Sequence, residues 1–139
     1  MEINLIILIT GMILGFMIFF PIVVAPSVFK NLNEKQSSVF LRSFFPKYYL
    51  FGIIITTIGI FISALEKDFT IIFCFSLIFI GFFFSRQYLT PLINKAKDKI
   101  IKSDELSKVK FERLHRFSVI INILQIIICI IVLFYKIIN

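Results

Sequence analysis

The chain lacks tryptophan and has only one histidine and two cysteines in 139 residues. Both cysteines lie within apolar runs, and neither has a Cys or His neighbour at the spacing of a metal-binding motif. The sequence contains no nucleophile elbow, phosphate-binding loop, dinucleotide-binding glycine motif or zinc motif. These absences give catalysis little support, so we predict no catalytic residue and favour a protein that is not an enzyme.

Acidic residues are also scarce, and none lies inside a long apolar run. The chain has 15 Lys and Arg against 8 Asp and Glu, for a formal net charge of +7. The lack of an intramembrane carboxylate argues against a transporter that is coupled to protons or cations through such groups. The excess of positive charge does not indicate a nucleic-acid partner, because it lies between apolar runs, where the positive-inside rule explains it.

Hydrophobic residues, by contrast, make up 59% of the chain and include 19 Phe. They form four runs that are each long enough to cross a bilayer as a helix, at about 1.5 Å per residue. We therefore predict an all-α fold, an integral membrane antiparallel four-helix bundle with short amphipathic cytoplasmic helices, in a single domain over residues 1–139. The predicted spans cover about residues 3–25, 48–65, 69–89 and 117–135.

Charge predicts the orientation of the bundle. Residues 27–47 carry four basic residues against one acidic residue, and residues 86–116 carry nine against four. The turn at residues 66–68 has one basic and two acidic residues. The positive-inside rule then places loops 27–47 and 90–116 in the cytoplasm and both termini on the periplasmic side.

The two basic loops contain the predicted amphipathic helices. Apolar residues between Val39 and Phe45 indicate one helix at the interface, and Ser103 is the predicted N-cap of another. Their basic residues would attract anionic lipid headgroups. The abundance of Ile, Phe, Lys and Asn is typical of an AT-rich bacterial genome, so we expect a bacterial inner membrane.

Small residues and prolines predict how the spans pack. Gly11 and Gly15 form a small-xxx-small pair, which we expect to admit a neighbouring helix of the same molecule. In the second span, small residues recur at spacings of 4, 3 and 4 and form one face: Gly52, Thr56, Gly59 and Ser63. Pro21 and Pro91 lie inside helical patterns and should loosen or bend their helices.

A polar stripe runs along the fourth span. It consists of residues that recur at spacings of 3, 4, 3 and 4: His115, Ser118, Asn122, Gln125 and Cys129. On a helix this spacing places all five on one face. Such a stripe must face protein or a water-filled cavity, because hydrocarbon offers it no hydrogen-bond partner. We expect Asn122 and Gln125 either to bond to neighbouring helices or to line a small ligand cavity.

His115 leaves two interpretations open. It could ligate haem or a metal, or carry protons, since the charge of histidine changes near neutral pH. No second ligand stands at a suitable spacing in the same element, however, and an interfacial histidine bonded to loop 27–47 or to headgroups explains it as well. We predict no cofactor and keep haem at His115 as the alternative.

Short motifs in both halves resemble a known family. In the N-terminal half they are Gly15, Phe19-Phe20, Ala25-Pro26-Ser27-Val28-Phe29 and Phe44-Phe45-Pro46-Lys47-Tyr48-Tyr49. In the C-terminal half they are Pro91-Leu92-Ile93-Asn94, Phe111, Leu114-His115, Ser118 and Asn122. Their order between four apolar runs resembles the transmembrane protein 205-like family, catalogued as domain of unknown function 4149. The resemblance implies a four-helix membrane protein with no established activity.

We therefore expect a non-enzymatic membrane protein, either a structural or interaction partner, including a homo-oligomer, or a small-ligand binder. The candidate binding residues are Pro26, Phe29, Tyr48, Tyr49, Arg86, Pro91, Asn94, His115, Ser118, Asn122 and Gln125. The first alternative is a haem- or metal-linked redox protein that uses His115. The second is a small transporter, which predicts a continuous polar path along Asn122 and Gln125. A packing role instead predicts that Asn122→Leu lowers stability.

Overall fold

The computed structural model describes residues 4–100 and 105–138, which form four long helices. The helices are α1 (Leu5–Asn31), α2 (Glu34–Leu65), α3 (Phe69–Ile100) and α4 (Glu105–Ile138). Each is long and apolar enough to cross a membrane. The prediction of an all-α four-helix membrane bundle is confirmed, and the chain is a multi-pass membrane protein. Ser103, the predicted N-cap, lies outside the described residues.

Polar side chains cap α1, α2 and α3 where these helices begin. Asn4 accepts hydrogen bonds from main-chain N–H groups at the start of α1. Asn33 and Gln36 form a reciprocal capping box that starts α2 directly after α1. Asp68 caps α3, and Lys67 before it has a positive φ of 57°, which turns the chain sharply. The short connections make consecutive helices antiparallel.

The helices extend well beyond the predicted spans. Residues 34–47, predicted as a loop with its own surface helix, are the first turns of α2, and Pro46 lies inside that helix without ending it. Residues 105–116 are likewise the start of α4. The amphipathic segments are therefore extensions of the spans. An uninterrupted helix keeps its main-chain hydrogen bonds, whereas a break would leave several groups without partners.

Two π-helical turns precede prolines. They cover Phe20–Val24 in α1 and Ser85–Leu89 in α3, just before Pro26 and Pro91. In each, the N–H of the residue before the proline donates to the carbonyl five residues back. The wider turn relieves the clash between a proline ring and the carbonyl four residues earlier. The predicted loosening near Pro21 is confirmed, although α1 continues as a helix beyond Pro26.

The helices form a ring in which each packs against the next and α4 packs against α1. The small-residue face of α2 is buried as predicted. A methyl group added to Gly52 would lie 2.7 Å from the Phe82 ring, and one added to Gly59 would lie 2.9 Å from the Phe75 ring. These glycines therefore set how closely α2 and α3 approach each other.

The glycine pair of α1 behaves differently. A methyl group added to Gly11 or Gly15 would meet no heavy atom within 4 Å among the described residues. The predicted close packing of a helix at this pair is wrong. The face of α1 that packs consists instead of larger side chains, which are buried: Ile6, Ile9, Thr10, Ile13 and Met17.

The apolar core is concentrated towards the end of the bundle that holds the turn at residues 66–68, which we call the turn end. Its completely buried members include Ile6, Ile13, Ile71, Phe75, Ile78 and Cys129. The opposite end, where α1 meets α2 and α3 leads towards α4, holds most of the basic residues. We call it the basic end.

Candidate functional site

The bundle opens at its basic end because the second half of α1 diverges from α4. The first half of α1, Leu5–Phe19, packs against α4. In contrast, no Cα atom of residues 20–31 lies within 8 Å of a Cα atom of Glu105–Ile138. The π turn at Phe20–Val24 lies where the two helices separate. A local change in helix geometry thus coincides with the loss of helix–helix packing.

A cavity of about 890 Å³ occupies the space at the basic end, and all four helices contribute to its wall. Its size falls within the range of about 300–1,000 Å³ that is typical of small-molecule sites. Its apolar lining consists of Met17, Phe20, Pro21, Ala25, Phe29, Leu32, Leu41, Phe45, Ile93, Phe111, Val119, Ile123 and Ile126. Its polar lining consists of Glu34, Ser37, Ser38, Arg42, Tyr48, Tyr49, Thr90, Asn94, Lys97, His115, Ser118 and Asn122.

Seven of the eleven candidate residues line this cavity: Phe29, Tyr48, Tyr49, Asn94, His115, Ser118 and Asn122. They come from all four helices and are brought together only by the bundle. Pro26 and Pro91 are exposed and lie outside the lining. Their part in the geometry is indirect, since Pro26 follows a π turn that lines the cavity with Phe20 and Pro21, and Pro91 directly follows the lining residue Thr90.

The two remaining candidates, Arg86 and Gln125, also lie outside the lining. Arg86 Nε donates to the carbonyl oxygen of Pro46 at 3.2 Å, which links α3 to α2. Gln125 is only 2% exposed, and its Nε2 donates to the carbonyl oxygen of Ile78 at 2.8 Å. Each side chain thus has a protein partner on a neighbouring helix, although Gln125 Oε1 is buried without a hydrogen-bond partner among the described residues.

A buried polar group forms the inner part of the cavity. Tyr49 is 3% exposed, and its hydroxyl interacts with the side chains of Asn122 and Ser85. Asn122 Nδ2 donates to the carbonyl oxygen of Ser118 at 3.1 Å, within its own helix. Asn122 Oδ1 and Ser85 Oγ are buried and have no well-formed hydrogen bond to any described residue. Because buried polar atoms are normally paired, Asn122 Oδ1 is an acceptor available to a ligand.

Two ion pairs cross the rim between α2 and α3. The Arg42 guanidinium binds both carboxylate oxygens of Asp98. Lys97 Nζ lies 3.3 Å from Glu34 Oε1, and the Glu34 side chain is 87% exposed. Pairs as exposed as the second contribute only about 0.2–1 kcal/mol to stability. The rim is therefore closed by two ion pairs, and the exposed pair between Lys97 and Glu34 is weak enough for another anion to take the place of Glu34.

The Phe111 ring joins two further rim residues. The ammonium group of Lys97 lies 5.4 Å from its ring centre, within the range of a cation–π contact. The His115 ring is nearly parallel to it, with 6.1 Å between the ring centres. A lysine of α3 and a histidine of α4 therefore lie against one phenylalanine at the cavity rim.

Sequence reasoning missed much of the lining on α2, although a signal was present. Glu34, Ser38, Arg42, Phe45 and Tyr49 recur at spacings of 4, 4, 3 and 4, which is one face of a helix. All five line the cavity. The interpretation of residues 27–47 as a loop hides this face, because the polar residues of a loop indicate only its charge.

Metal ligation has little geometric support in the part of the chain that is described. Within residues 4–100 and 105–138, no group of three or more His, Cys, Asp or Glu side chains is placed to hold a metal ion. His115 is exposed and its ring packs on Phe111.

Comparisons with known proteins identify a family. No curated protein and no solved structure matched the chain. A family model described as domain of unknown function (DUF4149) matches residues 8–102, which include the cavity residues of α1, α2 and α3. The α4 residues His115, Ser118 and Asn122 lie beyond the matched range. Because the match spans more than half of the 139 residues, the chain belongs to the DUF4149 family.

Proposed function

We propose that this four-span membrane protein is a non-enzymatic binder of a small ligand, held in the cavity at its basic end. The observation that carries the proposal is the cavity of about 890 Å³ between all four helices. A pocket of this size with a mainly apolar wall and a few converging polar groups is the usual form of a ligand site.

The unpaired acceptor supports ligand binding over a packing role. As interhelical glue, Asn122 would donate or accept across to another helix with good geometry. Its amide instead donates within α4, and its contact with the Tyr49 hydroxyl of α2 leaves Oδ1 without a well-formed hydrogen bond. A ligand donor at this position would satisfy the oxygen that the protein leaves unpaired.

The transporter alternative has less support. A transport path would have to continue from the cavity towards the turn end past Gln125. That side chain is buried and bonded to Ile78, and it does not line the cavity. Beyond it lie completely buried apolar side chains such as Phe75 and Val132. A site confined to the basic end therefore fits the geometry better than a path through the bundle.

The proposed setting is a bacterial inner membrane, with the basic end in the cytoplasm and both termini on the periplasmic side. The distribution of basic residues supports this orientation through the positive-inside rule. Alkaline phosphatase fused after residue 139 should be active, and green fluorescent protein fused there should be dark. The reverse pair of signals would overturn the orientation.

The cavity itself can be tested by filling it. Ile126 lines the cavity, whereas the next residue, Ile127, is exposed outside it. We expect the wild type and Ile127→Trp to retain the same small molecule after purification, and Ile126→Trp to lose it, as measured by mass spectrometry of the extracted protein. Equal retention by both variants, or no retained molecule in the wild type, would overturn the proposal.

The same preparation tests the redox alternative. If His115 holds haem, the purified protein will absorb in the visible range, and His115→Ala will lose that band while remaining folded. A colourless, metal-free protein would remove this alternative.

A further inference from the structure

The cavity has an opening on the side of the bundle, between α1 and α4. The two helices separate from residue 20 of α1 onwards. Phe29 of α1 and Val119 and Ile123 of α4 line the cavity, yet 64%, 42% and 50% of their surfaces are exposed. Side chains that belong to both a cavity wall and the outer surface mark its mouth. Because this mouth lies between two candidate spans, it faces lipid.

The wall behind this mouth is suited to a hydrocarbon chain. Met17 is buried at the inner side of the cavity, and Phe45 and Ile126 add apolar surface from α2 and α4. Apolar surface in a cavity is favourable for a ligand that brings its own apolar surface. A volume of about 890 Å³ lies within the range of small-molecule sites and leaves room for a hydrocarbon chain.

The rim provides positive charge. Lys97 and Arg42 line the cavity, and Glu34 is the acidic residue in its lining. The Arg42 guanidinium is occupied by Asp98, but Lys97 has three donor hydrogens and shares one with Glu34, a highly exposed partner. An exposed ion pair is weak, so a bound anion can replace Glu34 at Lys97. His115, beside the same Phe111 ring, offers a second donor.

Building on the ligand-binding function proposed above, we infer that the ligand is an anionic single-chain lipid, which reaches the cavity from the bilayer between α1 and α4. Its headgroup binds at Lys97 and His115, and its chain extends along Met17 and Ile126. A fatty acid carboxylate and a lysophospholipid phosphate share this chemistry.

The headgroup is tested with four probes of equal chain length: palmitate, 1-palmitoyl lysophosphatidylglycerol, 1-palmitoyl lysophosphatidylcholine and hexadecanol. Binding to the full chain in phosphatidylcholine nanodiscs is measured by native mass spectrometry. The two anionic probes should bind at least tenfold more tightly than the two neutral ones. The anionic probe that binds more tightly identifies the class of the natural ligand, a free fatty acid or a lysophospholipid.

Variants test the named residues. Lys97→Gln combined with His115→Gln should lower the affinity for the anionic probes at least tenfold and leave that for hexadecanol unchanged. The matched control, Lys95→Gln with Arg116→Gln, alters an exposed residue on each of the same helices outside the cavity and should have no such effect. Lys97→Arg keeps the charge and should keep the affinity, which separates loss of charge from misfolding.

The route is tested at the mouth. Val119→Trp should slow the association of palmitate from the nanodisc at least fivefold, whereas Ile120→Trp, one position further on the outer surface, should not. Equal rates would overturn the lateral route.

The outcomes separate this inference from the function on which it rests. Equal affinity for anionic and neutral probes, with binding abolished by Ile126→Trp, would overturn the anionic ligand and leave the ligand-binding cavity in place. Equal losses in the Lys97 and Lys95 variants would indicate general attraction to the basic end and overturn the headgroup site. Binding of every probe to Ile126→Trp as to the wild type would overturn the cavity itself.

Discussion

Gln125 of α4 donates a hydrogen bond of 2.8 Å from its Nε2 to the main-chain carbonyl oxygen of Ile78 in α3. The bond is buried and lies next to Ile126, a residue of the cavity wall. Gly81 leaves room for it, since a methyl group there would come within 2.7 Å of Gln125 Nε2. This pair joins α3 to α4 where the cavity gives way to the apolar core.

Removal of the Gln125 side chain should destabilise the bundle. We expect Gln125→Ala to lower the free energy of unfolding by about 1–3 kcal/mol, because it loses an interhelical bond and leaves a void. Unfolding in mixed detergent micelles measures the change. Gln87→Ala, at an exposed position of α3, is the control and should change stability by less than about 0.5 kcal/mol. Equal effects of the two substitutions would contradict the structural role of Gln125.

Substitutions of Gly81 and Gln125 should have non-additive effects on the free energy of unfolding. Gly81→Ala forces the Gln125 amide away from its position and breaks the bond to Ile78. In a Gln125→Ala background the same methyl group meets no amide, so its cost should fall. A double-mutant cycle on the free energy of unfolding should therefore show a coupling energy of about 0.5–2 kcal/mol. Additive effects would show that the contact is not formed.

The glycines of α1 and α2 should respond in opposite ways to alanine. Gly52→Ala pushes a methyl group against the buried Phe82 ring and should destabilise by about 1–3 kcal/mol. Gly11→Ala meets open space and should be neutral or stabilise by up to about 1 kcal/mol, because alanine favours a helix. Thermal unfolding of both variants checks this order. Destabilisation by Gly11→Ala would mean that another helix covers that face in the membrane.

Stability should depend on pH through Asp68 at the turn end. Lys136 Nζ lies 2.9 Å from Asp68 Oδ2. Partial burial raises the pKa of Asp68, but hydrogen bonds from Lys136 and the Ile71 N–H outweigh it, so the pKa is lowered from its ordinary value of 3.8. A lowered pKa adds stability that is complete above the unfolded-state value and is lost as the pH falls through the folded-state value.

The melting temperature measures this dependence. At neutral pH the melting temperature of the wild type should be higher than that of Asp68→Asn. This difference in melting temperature should shrink only below about pH 4, because Asp68 then becomes protonated. Glu112→Gln, which alters an exposed carboxylate at the basic end, is the control. Parallel curves for the wild type and Asp68→Asn over the whole pH range would exclude the ion pair as a source of stability.

Asn122 separates a ligand role from a packing role. Asn122 touches the Tyr49 hydroxyl of α2 but makes no well-formed hydrogen bond to another helix, so Asn122→Leu should lower the free energy of unfolding by less than about 1 kcal/mol. The same substitution should weaken ligand retention, because it removes a polar group from the cavity wall. A loss of stability of about 1 kcal/mol or more would instead favour interhelical packing.

The sequence predicted the number and character of the helices because long apolar runs have few alternatives in a bilayer. It also predicted that the small-residue face of α2 packs closely against another helix, since small residues at helical spacing indicate where a helix approaches. The same argument was wrong at Gly11 and Gly15, which are open to the outside. Spacing identifies a face of a helix but does not say which neighbour, if any, covers it.

The candidate site was predictable in part. A polar stripe on α4 had to face protein or a cavity, and His115, Ser118 and Asn122 do line one. Gln125 belongs to the same stripe, yet it is bonded to α3. Arg42 and Lys97 were missed because a basic residue between two spans is explained equally well by membrane orientation.

By itself, the sequence determined that the chain crosses the membrane four times and which faces are polar or small, because hydropathy and helical spacing are local properties. Only the tertiary structure decided that α1 separates from α4 beyond residue 20. It alone brings Tyr49, Lys97 and Asn122 to one cavity. These features depend on contacts between helices that are distant in the chain, and local sequence does not specify such contacts.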